Sequence, residues 1–95
     1  MTDWKFAQRD PHDQLAHLHH FSMLKKFGSE EIEIVITIRE YVSPRDPGMN
    51  FFAQGDKDMN QRTAPVKPFG WGGSLLEALG NCVDQIRRFP YEPEA

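Results

Sequence analysis

Four histidines stand close together near the start of the chain: His12, His17, His19 and His20. Imidazole is the commonest metal-ligating side chain, so their spacing is the first chemistry to weigh. Asp10-Pro11-His12-Asp13 reads as a helix start, with Asp10 as cap, Pro11 at the first helical position and Asp13 in the first turn. On a helix, Asp13 and His17 are four apart and His17 and His20 three apart, which places two imidazoles on one face. A closed zinc site needs about four ligands, and Cys82 is remote in sequence. The spacing matches no established metal motif, so these residues read as solvated imidazoles and no metal is assigned.

The remaining candidates for chemistry are weaker. Asp56-Lys57-Asp58-Met59-Asn60 opens like a calcium loop, but Gln61 replaces the required glycine and Lys67 the bidentate glutamate. Gly70-Trp71-Gly72-Gly73-Ser74 lacks the Gly-Lys-Ser/Thr of a phosphate loop and reads as a structural turn. Trp71, flanked by glycines, reads first as a plug over the core and second as an exposed ring for a partner. Cys82 sits in an apolar stripe, where a thiol packs rather than reacts. Glu30, Glu31 and Glu33 do not form a pair suited to acid–base work. The sequence therefore predicts no catalytic residue, no cofactor and no enzyme.

The elements that carry these residues follow from periodicity. Leu15, Leu18, Phe21 and Leu24 recur every three residues, Lys25 and Lys26 suit a helix C-terminus, and Gly28 suits a stop; a helix is predicted over 11–27. Ile32, Ile34, Ile36 and Ile38 alternate with Glu33, Val35 and Thr37, which predicts a half-buried strand running to about Val42. Residues 43–48 form a turn by composition. A second strand is expected over 49–54 and an irregular edge strand over 61–68, where Pro65 and Pro68 cannot donate ladder hydrogen bonds. Ser74 and Glu77 form a capping box, each satisfying the other's backbone N–H, and open a helix that Pro90 ends.

The predicted fold is α+β, in the order α-β-β-β-α: a three-stranded antiparallel sheet with both helices packed on one face. The 95 residues make one domain, with an arm over 1–9, a core over 10–89 and a loose tail over 90–95. The lone cysteine and the absence of an apolar N-terminal segment point to a cytoplasmic protein. Residues 32–38 are far too few to span a bilayer, so no membrane role is expected. With 11 basic and 14 acidic residues, the electrostatic footprint of a nucleic-acid binder is missing.

The frame Gly70-x-Gly72-x-Ser74-x-x-x-Ala78, together with the predicted element order, resembles the double-stranded-RNA-binding domains. The lysines that reach phosphate in that family are replaced here by Leu75, Leu76 and Leu79. Ser74, Leu75, Glu77, Ala78, Leu79, Asn81 and Ile86 also resemble the helix of HicB-type antitoxins, with Cys82 in place of an alanine. The segment before that helix departs from the antitoxin pattern, and no DNA-binding extension follows it. That resemblance implies a protein partner, a small toxin in its most specific form. A non-catalytic protein-interaction module is therefore expected, and a homodimer is one form of it. Ile34 and Ile36 on an edge strand, and Trp71, are the predicted partner-binding residues. The alternative is a divergent RNA-binding domain, which requires Lys25, Lys26, Arg45, Lys57, Arg62 and Lys67 to converge on one face.

Overall fold

The computed structural model describes residues 3–42, 48–61 and 64–90. Two short 3-10 turns, Asp3–Ala7 and Pro11–Asp13, precede strands β1 (Ala16–Phe27) and β2 (Glu30–Tyr41). Strand β3 (Phe51–Gly55) follows, then a small ribbon of β4 (Met59–Gln61) and β5 (Ala64–Val66), then β6 (Phe69–Gly72) and helix α1 (Leu75–Arg88). The main sheet is antiparallel in the order β1-β2-β3-β6, and β4 pairs with β5 in a separate two-stranded ribbon. The class is α+β, but the order is β-β-β-β-α around a four-stranded sheet. The predicted α-β-β-β-α order, with two helices on a three-stranded sheet, is overturned.

The correction falls on residues 11–27. Asp10 does cap a helical turn, its carboxylate accepting the His12 N–H at 2.8 Å, but the turn ends at Gln14 in the left-handed region. The chain then extends and pairs with β2 from Ala16↔Tyr41 to Phe27↔Glu30. Gly28 is not a helix stop. With φ of 65°, it opens the two-residue Gly28-Ser29 hairpin loop, whose backbone twist matches that of the flanking strands. Twelve ladder positions outweigh the weak helical preference of a segment rich in histidine and phenylalanine.

Strand β2 is the interior of the sheet. Ile34, Ile36 and Ile38 are fully buried on one face and meet Ala53, Met59, Ala78, Cys82 and Ile86. Helix α1 lies on that face, with Ala78, Cys82 and Ile86 inward and Leu76 outward. Its N-terminus is capped as predicted on one side, Ser74 Oγ accepting the Glu77 N–H at 3.1 Å. The reciprocal bond differs: Glu77 accepts from Gly73 N–H rather than from Ser74.

Residues 70–72, predicted as a turn, form strand β6. A Cβ on Gly70 would stand 2.5 Å from the Ala78 carbonyl oxygen, and one on Gly72 would stand 2.7 Å from the Ala78 nitrogen. Only glycine lets the helix backbone lie directly on the strand. The helix also closes the outer edge of β6: Gln85 accepts the Phe69 N–H at 3.0 Å, and Asn81 donates to the Trp71 carbonyl at 2.8 Å. The segment predicted as one irregular strand over 61–68 instead contributes the β4–β5 ribbon and the buried Pro68.

Candidate functional site

The alternation of four strands sorts the side chains onto two faces. The face away from α1 carries two level rows, read across β1, β2, β3 and β6. The first is Leu18, Arg39, Phe52 and Trp71; the second is His20, Thr37, Gln54 and Phe69. Phe52 lies at the centre of an aromatic group, 4.4 Å from Trp71 and 6.4 Å from Phe69 between ring centroids. Trp71 is 41% exposed and Leu18 47%, with Leu24 more open still. Beside the rings a shallow depression of about 250 Å³ is lined by Thr37, Arg39, Gln54 and Lys67 among others. The backbone explains the presentation of Trp71: its glycine neighbours are pinned beneath the helix, so the indole must point the other way.

The predicted partner-binding residues separate. Trp71 is an exposed ring, whereas the Ile34 and Ile36 side chains are buried in the core, and Ile36 is paired on both sides, with Phe21 of β1 and Gly55 of β3. The prediction placed these isoleucines on an edge strand, whereas β2 stands between β1 and β3 in the strand order, with β3 paired to it over Ile36–Glu40.

The basic residues of the alternative reading do not converge among the described residues. Lys25 lies on the helix face and donates to the Ile86 carbonyl at 2.8 Å, a favourable position for a cation at a helix C-terminus. Lys26, one residue on, belongs to the opposite face. Lys57 pairs with Asp56 at 3.0 Å and Lys67 with Asp58 at 3.2 Å. Arg45 and Arg62 lie outside the described residues.

The histidines are regrouped by the strand. His17 and His19, two apart, share the helix face, and their rings stack with centroids 4.2 Å apart. His20 is on the other face, against Thr37 Oγ1 at 3.2 Å, and His12 stays with Asp10. Glu40 of β2, level with His17, completes a cluster: its Oε1 lies 3.0 Å from His19 Nε2 and its Oε2 3.7 Å from Lys5 Nζ. Trp4 sets its ring against His17 edge-on, at 5.3 Å. Sequence reasoning missed this trio because helical spacing joins His17 to His20 and hides Glu40, which only strand pairing brings near.

Cys82 is wholly buried, and burial pushes its thiol up to about 11, against a weaker opposing hydrogen bond from Gly55. It is a packing residue, protonated at neutral pH. Desolvation pushes the Asp56 carboxyl up, but bonds from Lys57 and the Val35 N–H, together with the Lys57 charge, leave it lowered. No helix among the described residues is long and apolar enough to cross a membrane. No protein-family profile, curated protein or solved structure matches the chain.

Proposed function

We propose that the protein is a non-catalytic interaction module that pairs with a second copy of itself through the open face of the sheet. The observation that carries this reading is the Phe52–Phe69–Trp71 group on a face that no helix among the described residues covers. Exposed aromatic clusters of this kind supply most of the energy of an interface.

The choice of a second copy rests on complementarity between the two level rows. A copy docked about a twofold axis parallel to the strands, between β2 and β3, reads each row backwards. Leu18 then meets Trp71 of the other copy, and Arg39 meets Phe52. In the second row His20 meets Phe69 and Thr37 meets Gln54. Leucine faces indole, a guanidinium and an imidazole each face a phenyl ring, and hydroxyl faces amide. Two sheets stacked in this way form an isologous, sandwich-like interface.

Light scattering tests it. The purified chain should show twice its 11.0 kDa mass. Trp71→Glu should give the single-chain mass with an unchanged far-UV circular dichroism spectrum, while Leu76→Glu, on the exposed side of α1, should stay dimeric. A wild-type monomer at micromolar concentration rejects the reading. So does a dimer that survives Trp71→Glu, which would place the contact elsewhere, such as the β1 edge.

A further inference from the structure

We propose that His17, His19 and Glu40 form a binding site for a divalent transition metal, with zinc as the fitting ion. It lies on the face of the sheet opposite the aromatic rows and does not depend on the pairing described above.

The site occupies ground the helix cannot cover. A 14-residue helix is about 21 Å long, whereas each 12-residue arm of the β1–β2 hairpin runs about 40 Å. Helix α1 packs on β6, β3 and β2 and delivers its C-terminus to Lys25, near the tip of the hairpin. The opposite corner of β1 is left to the first 3-10 turn, which sets Trp4 against His17 and Lys5 against Glu40.

The donor set has the right chemistry. Two imidazoles and one carboxylate make the three-ligand set that leaves zinc a fourth position for water or an exogenous ligand. Each residue offers one ligand atom, and these atoms all lie within 4.8 Å of one another. Tetrahedral zinc, with bonds of about 2.0–2.1 Å, spaces its ligand atoms about 3.3 Å apart, so side-chain rotation of about 1.5 Å closes the set. Glu40 and His19 are only 16% and 25% exposed in their side chains, so the carboxylate and imidazole are already held in place. Lys5 faces the other carboxylate oxygen, Oε2, while Oε1 stands 3.0 Å from His19 Nε2, a contact that a metal held between the two would replace. His17 also lines a shallow depression of about 330 Å³ with Trp4, Ala16 and Leu18, so this ligand borders open space. His12 and His20 take no part, because one is capped by Asp10 and the other faces away.

The test is calorimetric titration of the untagged 95-residue chain with zinc chloride, supported by visible absorption of cobalt(II). The expected result is one zinc per chain with a micromolar Kd, tetrahedral cobalt(II) bands, and a change in Trp4 fluorescence that persists in a Trp71→Phe background. His17→Ala, at an exposed position, and Glu40→Gln should each weaken binding at least tenfold while the far-UV spectrum stays unchanged. His12→Ala and His20→Ala should bind like wild type. Absence of saturable binding overturns the proposal, as does binding that survives His17→Ala and Glu40→Gln or that is lost with His12 or His20.

Discussion

Replacing Gly70 and Gly80 by alanine, one at a time, should move stability in opposite directions. At Gly70 the new methyl carbon would stand 2.5 Å from the Ala78 carbonyl oxygen, 2.6 Å from the Cys82 nitrogen and 2.8 Å from the Asn81 Cβ. The first two are backbone atoms of α1 and cannot rotate away. An ordinary contact is about 3.5 Å, so the helix must lift by about 1 Å along the line where Ala78, Cys82 and Ile86 meet the sheet. Overpacking of this kind costs about 1–3 kcal/mol, and a rigid backbone on both sides puts Gly70→Ala at the upper end, about 3 kcal/mol. Gly80 lies within the same helix, and a methyl carbon added there would find nothing within 4 Å. At that position alanine removes only the entropic penalty of glycine and should stabilise by about 0.5–1 kcal/mol. Urea unfolding followed by far-UV circular dichroism reads both. For a chain of this size each kcal/mol shifts Tm by roughly 4–8 °C, so the two variants should straddle wild type by well over 10 °C. A Gly70→Ala variant as stable as wild type would refute the direct seating of α1 on β6.

Two further outcomes follow from buried and bonded groups. Cys82 titrates at about 11 in the fold against an ordinary 9.0, so the unfolded chain releases its proton first as pH rises. Stability should be intact below the ordinary value and decline between 9.0 and about 11, a slope that Cys82→Ala abolishes, and the native thiol should resist a disulfide reagent until urea is added. Asp56 is lowered from its ordinary 3.8, so its contribution is present above that value and is lost as pH falls through the lower folded value. Asp56→Asn should therefore flatten the acid limb of the stability profile, and an unchanged limb would remove Asp56 from the account.

What could be read from the sequence depended on how cleanly each segment divides its environments. Strand β2 announces itself because its isoleucines meet the core on one side while the other side stays partly wet, and α1 does so through Ser74, Glu77 and an apolar stripe. Strand β1 does not. The helix leaves much of it uncovered, so Leu18 and Leu24 lie on one face and Phe21 and Met23 on the other, and the mixture imitates a three-residue repeat. The decisive signal was Gly28-Ser29, a two-residue hairpin loop between runs of equal length. Strand β6 was hidden for a different reason: Gly70 and Gly72 have the composition of a turn, but their missing side chains make room for a helix. The metal-ligand trio depended on both corrections to β1, its strand character and its partner, since Glu40 reaches His19 only across the hairpin.

The Gly70-Trp71-Gly72 alternation also acts as a ratchet tooth. A slip of β6 by a single residue would turn the indole toward α1, into a gap too narrow for a methyl group, and would expose two bare backbone positions on the other side. Such a frame is forbidden rather than merely less favourable. The four-residue strand is thereby held in one alignment that its few hydrogen bonds alone would not enforce, and any insertion or deletion between Pro68 and Ser74 should cost the fold as a whole.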